Sequence, residues 1–353
     1  TDLTASAYDA VNLTRIAGLA SSSNGGNRLA RLELFSTVTG DWVDVTAEVT
    51  GDTYTLDAAE RAATIGVRAT FVGPEGKVMV EPESGRYALD LTLQLRDTLR
   101  SNPETWVLGG DHPAAVYNEG TAGVLENTVS ATGTAGSTDF SSTDADTANI
   151  VDSELNATIT KDFDQEVLPV PATSTPAEQF PLVDATITVR NTTSSRTSRL
   201  TIEDPYSGVG VQEPSNTNDF LRLYSIGDIS VPEGATSTVV TLVTDAAPDG
   251  VDHTIAEAQA LTPEQLAAVT LVRVTHEGTL APGAGSTVEL TYQLRNDVPL
   301  PLSTTITNNA YFELERPGGV PSIDSTEGSD EDVLGLATPS YSVTSAKTVT
   351  PST

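Results

Sequence analysis

The sequence predicts an all-β protein built from tandem immunoglobulin-like β-sandwich repeats with short helical turns. Three observations carry this. Apolar residues recur with a period of two in segments such as 182–190, where Val183, Ala185, Ile187 and Val189 share one face, and 286–295, where Val288, Leu290, Tyr292 and Leu294 do. The chain also repeats itself, with strand-like runs and turn signals in the same order in both halves. Helix signals are few: only 58–63 and 262–267 read as short helical turns, the second with Thr262 as N-cap and Pro263 at the first helical position.

The repeat orders the elements. The run LTLQLRD at 91–97 matches LTYQLRN at 290–296, Arg68 aligns with Arg273, and Asn127 aligns with Asn308. Residues 8–18 match 218–227, and the opening 1–3 matches 203–205, which aligns Asp2 with Asp204. Residues 1–135 therefore read as a β-sandwich repeat lacking its opening strands, followed by a Ser- and Thr-rich linker at 136–153. A second repeat spans 154–318 and opens with strands at 156–164, 182–191 and 198–204. Residues 319–340 read as an acidic loop or linker, and 341–353 as the opening strand of a further repeat. In this frame the chain reads as a mature piece or fragment of a longer array.

Composition narrows the function classes. Eighteen Lys plus Arg stand against 49 Asp plus Glu, a net charge of -31. That balance argues against nucleic acid and anionic membrane surfaces as partners, since both need positive charge at the contact. No apolar run reaches the roughly 20 residues needed to span a bilayer, so no membrane insertion is expected in this segment. Cysteine is absent, which removes disulfides and thiolate metal sites. The Thr, Ser, Val and Gly bias fits an extracellular, cell-surface β protein, with a salt-loving organism as the competing explanation for the acidity. His112, His253 and His276 lie on separate segments and read as solvent or turn residues, so neither a metal nor a cofactor is expected. The acid-rich stretches 139–152, 245–252 and 324–332 lack the spacing of a calcium loop and read as solvated loops. No catalytic centre with turnover emerges, and the chain reads as a non-enzyme.

One placement stands out. The chain has only three lysines, Lys77, Lys161 and Lys347. Lys161 shares the strand face of Ile159 and Phe163 and so points with the apolar side chains, while Lys347 repeats the arrangement among Tyr341, Val343 and Val349. An ammonium facing a core is costly unless paired or chemically consumed. The same parity places Asp204 inward with Leu200 and Ile202, leaving Glu203 outward, and Asn308 inward with Ile306, Ala310 and Phe312, leaving Asn309 outward. In the first repeat Asn127 shares the face of Leu125 and Val129, but no lysine matches Lys161; Lys77 has the parity opposite to Val78 and Val80 and reads as solvated.

These residues resemble the isopeptide-bonded immunoglobulin-like stalk domains of Gram-positive pilins and adhesins. The resemblance covers roughly 156–314. It implies that Lys161 is the nucleophile, Asn308 the electrophile and Asp204 the isopeptide-forming catalytic acid, with ammonia leaving. Burial lowers the pKa of an amine and raises that of an acid, which would set a neutral nucleophile beside a protonated carboxyl. The competing reading makes Lys161 a strand-end lysine that snorkels to water, Asp204 a turn residue before Pro205 and Asn308 a hydrogen-bonding edge residue. In the first unit Asp2 and Asn127 hold the equivalent places, and Lys347 is the lysine of the next repeat or of another chain.

The sequence thus points to a stalk or fibre segment of an exported cell-surface protein, attached to the cell wall in its parent and self-crosslinked. Its expected partners are neighbouring repeats or identical subunits. Two alternatives stand beside it: an adhesive module for a host protein or glycan, and a strand-donating filament subunit.

Overall fold

This computed structural model describes residues 1–2, 6–20, 27–73, 89–117, 120–135, 137–208, 211, 214–301 and 304–338. The chain divides into two compact units, Thr1–Asp152 and Ser153–Thr353. Both are mostly β, with several sheets and only short helices. Lys77 and the segment 341–353, with Lys347, lie outside the described residues.

The first unit runs α1 (Ala7–Ala10), β1 (Val11–Ala17), β2 (Arg28–Ser36), β3 (Asp41–Asp44), β4 (Thr53–Thr55), α2 (Ala58–Ala63), β5 (Thr64–Val72), β6 (Asp90–Leu95), β7 (Val124–Ala135) and β8 (Thr138–Asn149). One sheet has the order β4-β1-β6; β3-β2-β5 and the β7-β8 hairpin form the others. Asp2 joins the last two by bridges to Val67 on β5 and Val129 on β7. The core between them contains Leu13, Ile16, Leu32, Leu34, Tyr54 and Val67. Helix α2 starts where Asp57 accepts from the Glu60 N–H while the Glu60 side chain accepts from the Asp57 N–H, a reciprocal cap that satisfies two otherwise open donors.

The second unit runs β9 (Ala157–Phe163), β10 (Val167–Pro169), β11 (Leu182–Asn191), β12 (Thr197–Asp204), α3 (Thr217–Phe220), β13 (Leu221–Ile229), β14 (Ala235–Thr244), β15 (Ala247–His253), α4 (Ile255–Gln259), α5 (Pro263–Leu266), β16 (Val269–Leu280), β17 (Gly285–Leu294), β18 (Thr305–Glu315), α6 (Pro321–Asp324) and β19 (Ser325–Ala337). A seven-stranded sheet, β10-β19-β18-β12-β16-β14-β15, faces a four-stranded one, β13-β17-β11-β9. Their inner faces share one core: Ile187 and Leu290 come from the smaller sheet, Ile202, Val274 and Phe312 from the larger. Each such side chain contributes about 1.5–3 kcal/mol by leaving water. The internal repeat is kept in the strand registers, since Leu13 pairs with Leu93 as Leu223 pairs with Tyr292.

Several expectations are corrected. The linker expected at 136–153 contains β8, paired along its length with β7, and the loop expected at 319–340 contains α6 and β19, paired along its length with β18. The acid-rich stretch 245–252 is likewise mostly strand, in β15. These strands expose polar side chains on both faces or nearly so, which erases the hydrophobic period that marks a half-buried strand. Four further short helices, α1, α3, α4 and α6, accompany the two expected; α4 carries a Thr254–Glu257 capping box of the same kind as Thr262 and Gln265 in α5.

His112 and His276 are buried rather than solvated. His276 Nδ1 lies 2.8 Å from Thr238 Oγ1 on β14, and Nε2 lies 2.9 Å from Ser286 Oγ on β17, so the ring links the two sheets. Burial lowers its pKa from 6.5 to about 4. Between those values the unfolded chain binds a proton that the folded one excludes, so the contribution is present above pH 6.5 and is lost as pH falls. Lowering the pH to 5 should cost about 2 kcal/mol through this group. Thermal melts at pH 7 and pH 5 check this: the drop should shrink by that amount in His276→Gln, and an equal drop in both proteins would contradict it.

Candidate functional site

Lys161, Asp204 and Asn308 meet between the two sheets of the second unit. Lys161 is carried on β9, opposite Ile187 of β11, with Ile159 and Phe163 packed against the core on the same face. Asp204 is the last residue of β12, paired with Val272 of β16 and followed by a cis bond to Pro205. Asn308 lies on the neighbouring strand β18 and is fully buried. The Lys161 side chain is 0% exposed and that of Asp204 2%. The strand-end snorkelling reading of Lys161 is therefore excluded, because its ammonium does not reach water.

The carboxylate of Asp204 divides its two oxygens. Oδ1 accepts from Lys161 Nζ at 2.5 Å, and Oδ2 accepts from Asn308 Nδ2 at 3.4 Å. Oδ2 also accepts from the Tyr292 hydroxyl at 2.5 Å. Asn308 Oδ1 accepts from Ser215 Oγ at 3.5 Å. Burial, and after it the Asp204 carboxylate, hold the Tyr292 phenol well above its usual pKa, so it remains a donor. Strand parity places Tyr292 on the apolar face of β17 with Val288, Leu290 and Leu294. The signal that could have marked it was its place opposite Leu93 in the internal alignment, where one copy has a hydroxyl and the other a hydrocarbon.

The strand carrying Lys161 is gripped from two sides. β11 pairs with one edge, and on the other the Lys161 N–H donates to Asp330 Oδ2 at 2.8 Å and the Phe163 N–H to Asp332 Oδ2 at 2.6 Å. Both carboxylates come from β19, in the stretch expected to be a solvated loop. Asn309, expected outside, is buried as well: its carbonyl accepts from the Tyr206 N–H at 2.7 Å, so the chain after Asp204 covers it.

In the first unit Asp2 and Asn127 are brought together in the same way. Asn127 Nδ2 donates to Asp2 Oδ2 at 2.8 Å, and Asp2 is buried. Asp2 exchanges backbone hydrogen bonds with Val67, the counterpart of Val272. Beside them Tyr8 is buried, and burial followed by the Asp2 carboxylate raises its phenol above the usual range. No group of three or more His, Asp or Glu among the described residues could hold a metal ion. No helix among them is long and apolar enough to cross a membrane.

Comparison of the sequence with protein-family models and with curated proteins gives no match. Among solved structures, the chain is similar to BcpA, the major pilin subunit of Bacillus cereus, at 11% identity and TM-score 0.27, over 93% of this chain and 69% of that one. It is also similar to the collagen-binding subdomain of the Enterococcus faecalis surface protein ACE, at 13% identity and TM-score 0.23, over 50% and 95%. The group B streptococcus pilus 2b backbone protein matches at 15% identity and TM-score 0.22, over 48% and 55%. At these scores the likenesses assign no function to this chain.

The clamp on β9 makes a testable statement. Asp330→Ala or Asp332→Ala leaves one strand N–H without its charged acceptor, a loss of about 1.5–3 kcal/mol each. Amide hydrogen exchange at Lys161 and Phe163 should accelerate in the matching variant, and unchanged protection would contradict the clamp.

Proposed function

We propose that this chain is a structural segment of a surface stalk or fibre, in which Lys161 and Asn308 join in an intramolecular isopeptide bond with Asp204 as the proton carrier. The observation that carries the reading is the buried contact of Lys161 Nζ with one oxygen of a carboxylate whose other oxygen meets the Asn308 amide. Charges so placed are expensive to keep, and a reaction that consumes the ammonium relieves that cost.

The chemistry balances with the groups present. One proton passes from Lys161 Nζ to Asp204, which gives a neutral amine. The amine lone pair attacks Asn308 Cγ, and a C–N bond forms. Asp204 delivers its proton to Asn308 Nδ2 and takes one from the former amine. The Cγ–Nδ2 bond breaks and ammonia leaves, with Asp204 protonated and an uncharged amide in the core. Proximity in the folded sandwich supplies the effective concentration. Asp204 touches the leaving nitrogen, so its part here is proton transfer, while Ser215 lies toward the carbonyl oxygen. Tyr292 orients the carboxylate through Oδ2. The reaction occurs once per molecule, without turnover.

Positions 161 and 308 close a loop of 147 residues that runs from β9 to β18. Closing a loop of that length restricts the unfolded chain as a disulfide does, worth about 5 kcal/mol in the chain-entropy account. Such a crosslink suits a part that carries tension along a fibre.

Intact mass under denaturing conditions tests the reading. The purified chain should be lighter than its sequence by one ammonia, and a digest should hold a linked Lys161–Asn308 peptide. Asp204→Ala should restore the full mass, and Tyr292→Phe should slow the bond's formation. An unshifted mass in the wild-type chain overturns the proposal. Lys161→Ala should melt well below the wild type and become sensitive to protease.

A further inference from the structure

The first unit preserves the carboxylate–amide pair of the second unit's site without a lysine-bearing strand among the described residues. Asp204 Oδ2 takes the Asn308 amide while Oδ1 takes Lys161; Asp2 Oδ2 takes the Asn127 amide while Oδ1, buried, has no partner among the described residues. Asn127 Oδ1 is likewise without a hydrogen bond, while the hydroxyl of buried Tyr8 interacts with the Asp2 carboxylate. Each such atom costs about 1–3 kcal/mol, and together they mark the place of an absent donor.

The clamp is preserved as well. In the second unit Asn308 pairs with Asp332 and Ala310 with Asp330; in the first, Asn127 pairs with Asp146 and Val129 with Asp144. Asp144 and Asp146 are therefore the counterparts of the carboxylates that hold the β9 backbone. Each uses Oδ1 on the next residue's N–H, as Asp332 does, and Oδ2 has no partner among the described residues. β8 is exposed from end to end. On the other side β6 is a sheet edge, whereas its counterpart β17 is covered by β11 and then β9, so the described part of the first unit has neither a β11 nor a β9 counterpart, and Leu95 is 53% exposed where Leu294 is 0%.

We propose that the first unit is the acceptor for a lysine-bearing strand donated by a second copy of this chain, residues 341–350, which sets Lys347 at Asp2 and joins it to Asn127. The inference rests on the reading of the Lys161 site given above. The donor is chosen by sequence and charge. Tyr341, Val343, Lys347 and Val349 share one strand parity, as Ile159, Lys161 and Phe163 do. No Asp or Glu follows Asp332 in a chain that has 49 of them, so the tail is a cationic, acid-free segment that meets Asp2, Asp144 and Asp146. Lys347 Nζ attacks Asn127 Cγ, Asp2 carries the proton, the Cγ–Nδ2 bond breaks and ammonia leaves. Each copy gives with its tail and receives with its first unit, a head-to-tail contact that does not close on itself and so builds a filament.

The test uses the full chain with Lys347→Arg, which can receive but not donate, mixed with a fluorescent peptide of residues 339–353. The label should migrate with the chain on a denaturing gel, with one ammonia lost and the linkage mapped to Asn127. Peptide carrying Lys347→Arg should not attach, nor should any peptide attach to a chain that also carries Asn127→Ala. Asp144→Ala with Asp146→Ala, both at exposed positions, should slow attachment roughly tenfold or more while the receiving unit stays folded. No attachment to a chain whose own Lys161–Asn308 bond is present overturns this inference alone, as does attachment at another residue. The inference also fails if the protein isolated from its source already has Asn127 joined to a lysine of the same polypeptide. Attachment at Asn127 with Lys161 and Asn308 unlinked would support this inference and overturn the reading of the second unit.

Discussion

The contact of Lys161 with Asp204 governs the second unit, because two charges are held out of water and every neighbouring element has to make that tolerable. The strand β9 is fixed on one edge by β11 and on the other by Asp330 and Asp332, so the ammonium arrives at one depth. β12 is fixed by β16 on one side and β18 on the other, so the carboxylate that ends it meets both the lysine and the amide. Tyr292 reaches across from the smaller sheet to the same carboxylate. The polar cluster therefore ties both sheets of the sandwich, and removing one member leaves the others buried without compensation. On the proposed chemistry the tension resolves itself: an uncharged amide replaces the ammonium, and a covalent bond replaces an ion pair that low dielectric makes hard to keep.

How much of this was legible in the sequence depended on contrast. Lys161, Asp204 and Asn308 could be read because each sits on a strand with one apolar face, where a polar residue of inward parity stands out. Tyr292 could not be separated from its apolar neighbours by parity, since a tyrosine that packs and one that donates a hydrogen bond look alike. Asn309 had outward parity, but the following chain covers that face, which strand periodicity does not report. β8 and most of β19 have polar residues on both faces, so their existence depends on pairing with β7 and β18 and not on their own pattern. Asp330 and Asp332 were hidden for that reason, although they hold the strand that carries the lysine.

The internal repeat gives more information in three dimensions than along the chain. In sequence it pairs Asp2 with Asp204 and Asn127 with Asn308. In the structure it also pairs Asp144 and Asp146 with Asp330 and Asp332, through registers that alignment of such polar stretches would not have found. One tyrosine changed its origin: Tyr292 lies on a strand, whereas Tyr8 comes from the turn of α1, and position 93 is leucine. Both units thus bury an aromatic hydroxyl near the carboxylate, by different routes.

The charge of the chain then constrains how copies can meet. At a net charge of -31, two molecules repel at long range, and a broad face-to-face contact would have to overcome that repulsion over its whole area. A narrow contact formed by an acid-free tail entering a site lined by Asp2, Asp144 and Asp146 avoids this, because the attraction is local while the repulsive surfaces stay apart. On the proposed strand donation, association depends on strand insertion and not on surface stickiness. Once inserted, a strand held only by backbone hydrogen bonds could slide out under load. On the proposed chemistry, a bond from its lysine to the asparagine beneath it would convert that reversible step into a permanent link, the property that a fibre under tension requires of a joint.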